Sequence, residues 1–151
     1  MIEAIFYANP DTYPPIINST RLLAQAGYRV DILCREYGAR WGIQYPTATT
    51  VRRLPDASQR TWAAYLGFVK HVWQQARRDA TVYIGHDMHG FLPARLLATR
   101  LHKPLIYHCH DFTLDSSQLA WGGRLVAAFE RRWARTADLV IVPDAERGRH
   151  Q

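Results

Sequence analysis

The feature that most constrains this chain is a regular alternation of short apolar runs with amphipathic stretches, from one end to the other. The runs Ile2 to Ala8, Tyr28 to Cys34, Val51 to Leu54, Thr81 to Gly85, Pro104 to Cys109 and Asp138 to Val142 read as strands. Between them lie stretches with apolar residues every three or four positions, which read as helices. Ile16 to Ala26 ends at Gly27, a usual stop just past a helix. Thr61 to Arg78 places Trp62, Leu66, Val69, Trp73 and Ala76 on one stripe and Lys70, Gln74, Arg77 and Arg78 elsewhere. Pro93 to Leu101 carries proline in its first turn, where a missing N–H costs nothing. Gly123 to Arg135 spaces Leu125, Phe129 and Trp133 four apart.

Several of the strand runs are apolar on both faces. That suits a parallel sheet covered by helices on each side. The expected fold is therefore α/β, a Rossmann-like, doubly wound, mostly parallel sheet. With 151 residues the chain fits one such domain, and no tandem repeat or linker divides it.

Ligands of open α/β sheets bind beyond the carboxyl ends of the strands. Three polar clusters occupy those positions here. Asn9, Asp11 and Tyr13 follow the first strand; His86, Asp87 and His89 follow the Thr81 run; His110 and Asp111 follow the Pro104 run. His110 is the expected catalytic group, since imidazole exchanges protons and bonds hydroxyls near neutral pH. Asp111 orients it or opens the next loop, and Asp87 contacts a ligand hydroxyl or caps the helix near Pro93. Asn9, Asp11, Tyr13, His86, Asp87, His89 and Asp111 are the expected substrate-binding residues. Tyr13, Trp41 and Tyr45 are aromatic loop residues that stack on a ring-shaped ligand or serve as packing lids.

Four histidines, His86, His89, His108 and His110, lie around two strand ends, but HxxH and HxH are not zinc spacings. His108 and His110 share one strand face, so a single one of them is expected to reach the crevice. Neither metal nor cofactor is expected. GxGxxG, GxxxxGK[ST] and GxSxG are all missing, which removes the usual phosphate cradles and the hydrolase elbow.

The formal net charge is +6, spread over helices rather than gathered in one run, so nucleic acid is not the expected partner. On the Thr61 and Gly123 helices the expected packing turns the apolar stripe to the core and the basic face to solvent. Peripheral contact with an anionic membrane is the alternative. Cys34 and Cys109 read as small buried hydrophobes of a reducing compartment. With no apolar run of membrane-spanning length and no leader-like start, a cytoplasmic protein is expected.

The stretch TVYIGHDMHGFLPARLLATRLHKPLIYHCHDF, then a helix and ADLVIVPDAERGR, resembles the N-terminal domain of family 4 glycosyltransferases, which have the GT-B architecture. IINSTRLLAQAGYRVDILCREY is similar to the family's first helix and second strand. The resemblance spans nearly the whole chain and rests on the order of its parts.

It implies an acceptor-side domain of a retaining enzyme that moves a sugar from a nucleotide sugar to a hydroxyl acceptor, without metal. His110 matches a family histidine near the transferred sugar. The resemblance also implies a C-terminal donor-binding domain that this chain does not contain, and inactivity of the chain alone. The first-strand loop NPDTYPPIINS departs from the family's frequent Gly-Gly. A non-catalytic or split-enzyme partner subunit is one alternative, and a nucleotide-binding regulator of flavodoxin type another.

Overall fold

The structure is a computed structural model that describes residues 1–36, 42–55, 62–110, 128 and 130–142. Six parallel strands form one sheet: β1 (Ile2–Phe6), β2 (Val30–Arg35), β3 (Thr49–Leu54), β4 (Val82–His86), β5 (Leu105–His108) and β6 (Leu139–Ile141). Their order is β3-β2-β1-β4-β5-β6. The chain moves outward from β1 to β3, then crosses back to β4. The strand order reverses between β1 and β4, which is where a doubly wound sheet opens a crevice.

The two cores sit on opposite faces. Ile2, Ala4, Phe6, Val30, Ile32, Cys34 and Ile84 pack with Ile16 of α1 (Pro14–Gln25). Ile5, Leu33, Leu54 and Tyr83 pack with α2 (Trp62–Gln75) and α3 (Asp87–Leu101). Alternation along each strand divides them, as the period of two requires. Cys34 and Cys109 are buried in these cores, and burial pushes both thiols up to about 12, so they remain protonated packing groups.

α1 starts at Pro14, two residues before the expected Ile16, because proline is already set for the first helical position. Its end matches expectation. Gly27 has φ +85°, its N–H donates to Ala24, and the Tyr28 N–H donates to Leu23, which closes the helix with a left-handed glycine cap.

α3 begins at Asp87, not near Pro93, so the strand-to-helix turn is immediate and Pro93 lies in the second turn. Proline there cannot donate to the carbonyl of His89. The Tyr65 hydroxyl of α2 donates to that carbonyl instead, at 3.2 Å. α3 lies directly on the sheet: a Cβ on Gly90 would come within 2.3 Å of the Ile5 carbonyl oxygen, and one on Gly85 within 2.4 Å of the Phe91 Cα.

α2 corrects the sequence reading most. Its core face is Tyr65, Phe68 and Val72, continued by Ala76, while Trp62, Leu66 and Trp73 are exposed. Two adjacent rows on this helix both have spacings of three and four, and periodicity does not say which one meets the sheet. Of the expected helix from Gly123 to Arg135, residues 130–134 are helical and most of the rest lies outside the described residues, as does Trp41.

Candidate active site at the carboxyl edge of the sheet

Strand register builds the first half of the site. Phe6, His86 and His108 are register partners across β1, β4 and β5, so they form one row at the carboxyl edge. His110 lies two residues past His108. The three imidazoles thus converge although 24 residues separate His86 from His110. His108 and His110 both belong to the cluster, where the sequence reading expected a single one to reach the crevice.

His86 Nδ1 and His110 Nε2 are 3.0 Å apart and their rings are within 7° of parallel, with centroids 5.2 Å apart. That is close to the largest centroid separation two imidazoles can have at this nitrogen contact. The nitrogens therefore point at each other in line, the geometry of a hydrogen bond. Which ring carries the proton is a matter of tautomer.

Suitable nitrogens of His86, His108 and His110 all lie within 4.8 Å, a grouping that could hold a metal ion. With the His86 and His110 nitrogens in line, they are not aimed at a common third point as metal ligands are. Burial, then the neighbouring His108 and His110, hold His86 well below the usual histidine range. Burial, then His110, lowers His108 to about 4. Both are neutral at pH 7.

Asp87 fixes the joint between β4 and α3. It sits at φ +50°, a left-handed conformation that aspartate tolerates better than most residues. Its Oδ1 accepts the backbone N–H of His110 at 2.8 Å, which ties the end of β4 to the turn after β5. Phe6 and Tyr13 wall the histidines: Tyr13 meets Phe6 edge-on at 4.8 Å and lies 6.1 Å from His110.

The loop after β1 is held from beneath. Asn9 and Asp11 are buried. Arg53 donates to Asn9 Oδ1 at 3.0 Å and to Asp11 Oδ1 at 2.8 Å, and the Tyr45 hydroxyl donates to Asp11 at 3.1 Å. Asn9 caps the short 3-10 turn Pro10–Thr12 by accepting from the Asp11 N–H. These contacts hold the loop itself in place.

A second aromatic group lines the other face of the rim. His89 stacks on Tyr7 at 5.5 Å and meets Tyr65 edge-on at 5.4 Å. Burial lowers the His89 pKa, against the opposing effect of Asp87. Arg35 ends β2 with its guanidinium 4.9 Å from the Tyr7 ring centre and donates to the Tyr7 hydroxyl at 3.1 Å.

Of the expected residues, the structure brings His86, Asp87, His110 and Tyr13 together. Asn9 and Asp11 form the adjoining loop, and His89 lies across the rim. Asp111 lies outside the described residues. Sequence reasoning missed Arg35 and Arg53 as parts of this edge. The signal for the two arginines was their position at strand ends, where a cation interrupts an apolar run.

A parallel sheet in this order, with polar groups gathered at the switch point, defines a Rossmann-like, doubly wound α/β domain. Residues 18–150 match the glycosyl transferase 4-like domain, and the chain belongs to that family.

Solved structures agree on the fold. The chain superposes on sucrose-phosphate synthase from Thermosynechococcus elongatus with a TM-score of 0.61 at 13% identity, over 94% of this chain and 47% of that one. HepE of Anabaena, solved in complex with UDP, gives 0.59 at 17%, over 92% and 36%. Os79 of O. sativa, solved with UDP and deoxynivalenol-3-glucoside, gives 0.55 at 14%, over 95% and 47%. The chain thus spans half or less of the length of these structures. No curated protein sequence matches it.

Proposed function

We propose that this chain is the acceptor-side half of a retaining glycosyltransferase, which moves a sugar from a nucleotide sugar to a hydroxyl acceptor. One observation carries the reading. The family match places a glycosyltransferase domain here, and its strand ends gather His86, Asp87, His110 and Tyr13 at the crevice between β1 and β4. UDP is the first nucleotide to test, because two similar folds were solved with it.

In this reading His110 positions the transferred sugar. Its Nε2 faces His86, so Nδ1 is the ring atom through which it would meet a hydroxyl. Asp87 holds the His110 backbone, and Tyr13 offers a ring edge to the sugar. The donor nucleotide is held mainly by a second domain, with its phosphates near the loop after β1. No metal takes part. Both cysteines are free and buried, which fits a cytoplasmic setting.

The test is transfer from UDP-sugars by the enzyme carrying both halves. His110→Ala is expected to lower kcat by about a hundredfold or more while the protein stays folded. Near-normal turnover would remove His110 from the mechanism. Failure of every nucleotide sugar to react or bind would remove the transfer reading.

A further inference from the structure

Among the described residues, the outward face of α2 takes no part in the two cores or in the site. Trp62 is 79% exposed, Leu66 64% and Trp73 41%. At helical spacing the three occupy roughly 40° of arc, a continuous apolar strip along the helix. Val69, half-buried, joins it to the core, and Lys70 borders it. A soluble surface seldom holds two indoles and a leucine in one row without a partner.

Within α2 itself the charge has one sign. α2 contains no acidic residue. Lys70 is exposed, and the Arg78 guanidinium lies 5.1 Å from the Trp73 ring centre. Arg77, just past the helix, is held by Asp31 at 2.9 Å.

Indole rings favour the boundary between lipid headgroups and acyl chains, and nearby cations are drawn to anionic headgroups. A second copy of this chain would bring like charges together on that face, on a molecule of net charge +6. We propose that this face of α2 docks on an anionic lipid surface. Trp62, Leu66 and Trp73 enter the headgroup boundary, and Lys70 and Arg78 meet lipid phosphates.

The strip ends next to the rim. The Trp62 ring lies 6.3 Å from that of Tyr65, whose hydroxyl reaches the His89 carbonyl. Docking would therefore bring the rim toward hydroxyl acceptors carried by lipids, an extension that rests on the glycosyl-transfer reading. The docking itself does not.

The test is co-sedimentation with phosphatidylcholine vesicles, with and without phosphatidylglycerol, at low and high salt and with no sugar donor present. Binding to the anionic vesicles is expected, with a blue shift in tryptophan emission and loss of binding at high salt. Trp62→Gln/Leu66→Gln/Trp73→Gln should lower the bound fraction at equal lipid about tenfold or more. Trp62→Gln alone should give a smaller loss in the same direction.

Lys70→Gln/Arg78→Gln should abolish the preference for anionic vesicles. Circular dichroism and Tm check that each variant is folded, which exposure at these positions favours. No binding at low salt would overturn the proposal, as would a triple variant that binds like the parent. A concentration-dependent dimer dissolved by the triple variant would place a second copy on this face instead. Failure of sugar transfer leaves the vesicle result standing, and the reverse also holds.

Discussion

His86 and His110 behave as one unit. If His86 Nδ1 donates, His110 Nε2 accepts and the His110 proton sits on Nδ1. If His110 donates from Nε2, His86 carries its proton on Nε2. When both rings are neutral they adopt the same tautomer in either case, and one proton decides whether His110 offers a donor or an acceptor at Nδ1. Nitrogen-15 shifts at a pH where both rings are neutral should therefore show His86 and His110 as the same tautomer, and opposite tautomers would rule the bond out. His86→Asn, with an amide oxygen near the place of Nδ1, should keep a single His110 tautomer, whereas His86→Leu should give a mixture. The sequence showed imidazoles at strand ends. It did not show this pairing, because 86, 108 and 110 become neighbours through the registers of β4 with β1 and β5.

At the scale of elements, α2 and α3 are coupled through one carbonyl. Pro93 leaves the His89 carbonyl without its helical donor, and Tyr65 supplies one from α2. Tyr65→Phe should cost about 1 kcal/mol in urea unfolding. Pro93→Ala in that background should recover part of the loss, because alanine restores the helical N–H. Additive effects in the double-mutant cycle would show that the two sites are not linked.

Gly90→Ala should destabilise by about 2 kcal/mol or more, since the added methyl meets the Ile5 carbonyl with no space to yield. On the other side of α2, Trp73→Gln should change stability by less than about 0.5 kcal/mol. A cost of several kcal/mol there would mean that the exposed row is packed after all. Helical spacing identified α2 correctly, yet its core face was legible only once β3 and β4 fixed where the helix crosses the sheet.

For the whole molecule, stability against pH has opposed contributions, Glu3 on one side and His108, with His86 and His89, on the other. Glu3 in β1 is fully buried against Arg52, with one carboxylate oxygen lacking a hydrogen bond among the described residues. Burial pushes its pKa up to about 7, against the lowering effect of Arg52. The folded state therefore binds this proton more tightly than the unfolded chain. The stabilisation is complete below about 4.5 and is lost as pH rises through about 7.

His108 acts in the opposite sense. Its folded pKa is about 4 against an ordinary 6.5, so its contribution is complete above 6.5 and is lost as pH falls toward about 4. The two slopes oppose each other between about 4.5 and 6.5. Glu3→Gln should remove the fall toward pH 7 and leave a rising slope from about 4 to 6.5, by up to about 3 kcal/mol relative to the parent. An unchanged Tm profile would show that Glu3 is not the group responsible.

The sequence by itself determined the parallel α/β architecture, the places where chain turns become crevice and the family of the chain. These depend on local information: apolar runs, glycine and proline punctuation, and polar residues just after strands. Tertiary structure decided which histidines meet, which face of α2 is buried, where α3 begins and how Arg53 holds the loop after β1. Each of these is a contact between segments far apart in the chain. Strand register and helix crossing create them, and neither leaves a periodic mark in the residues that take part.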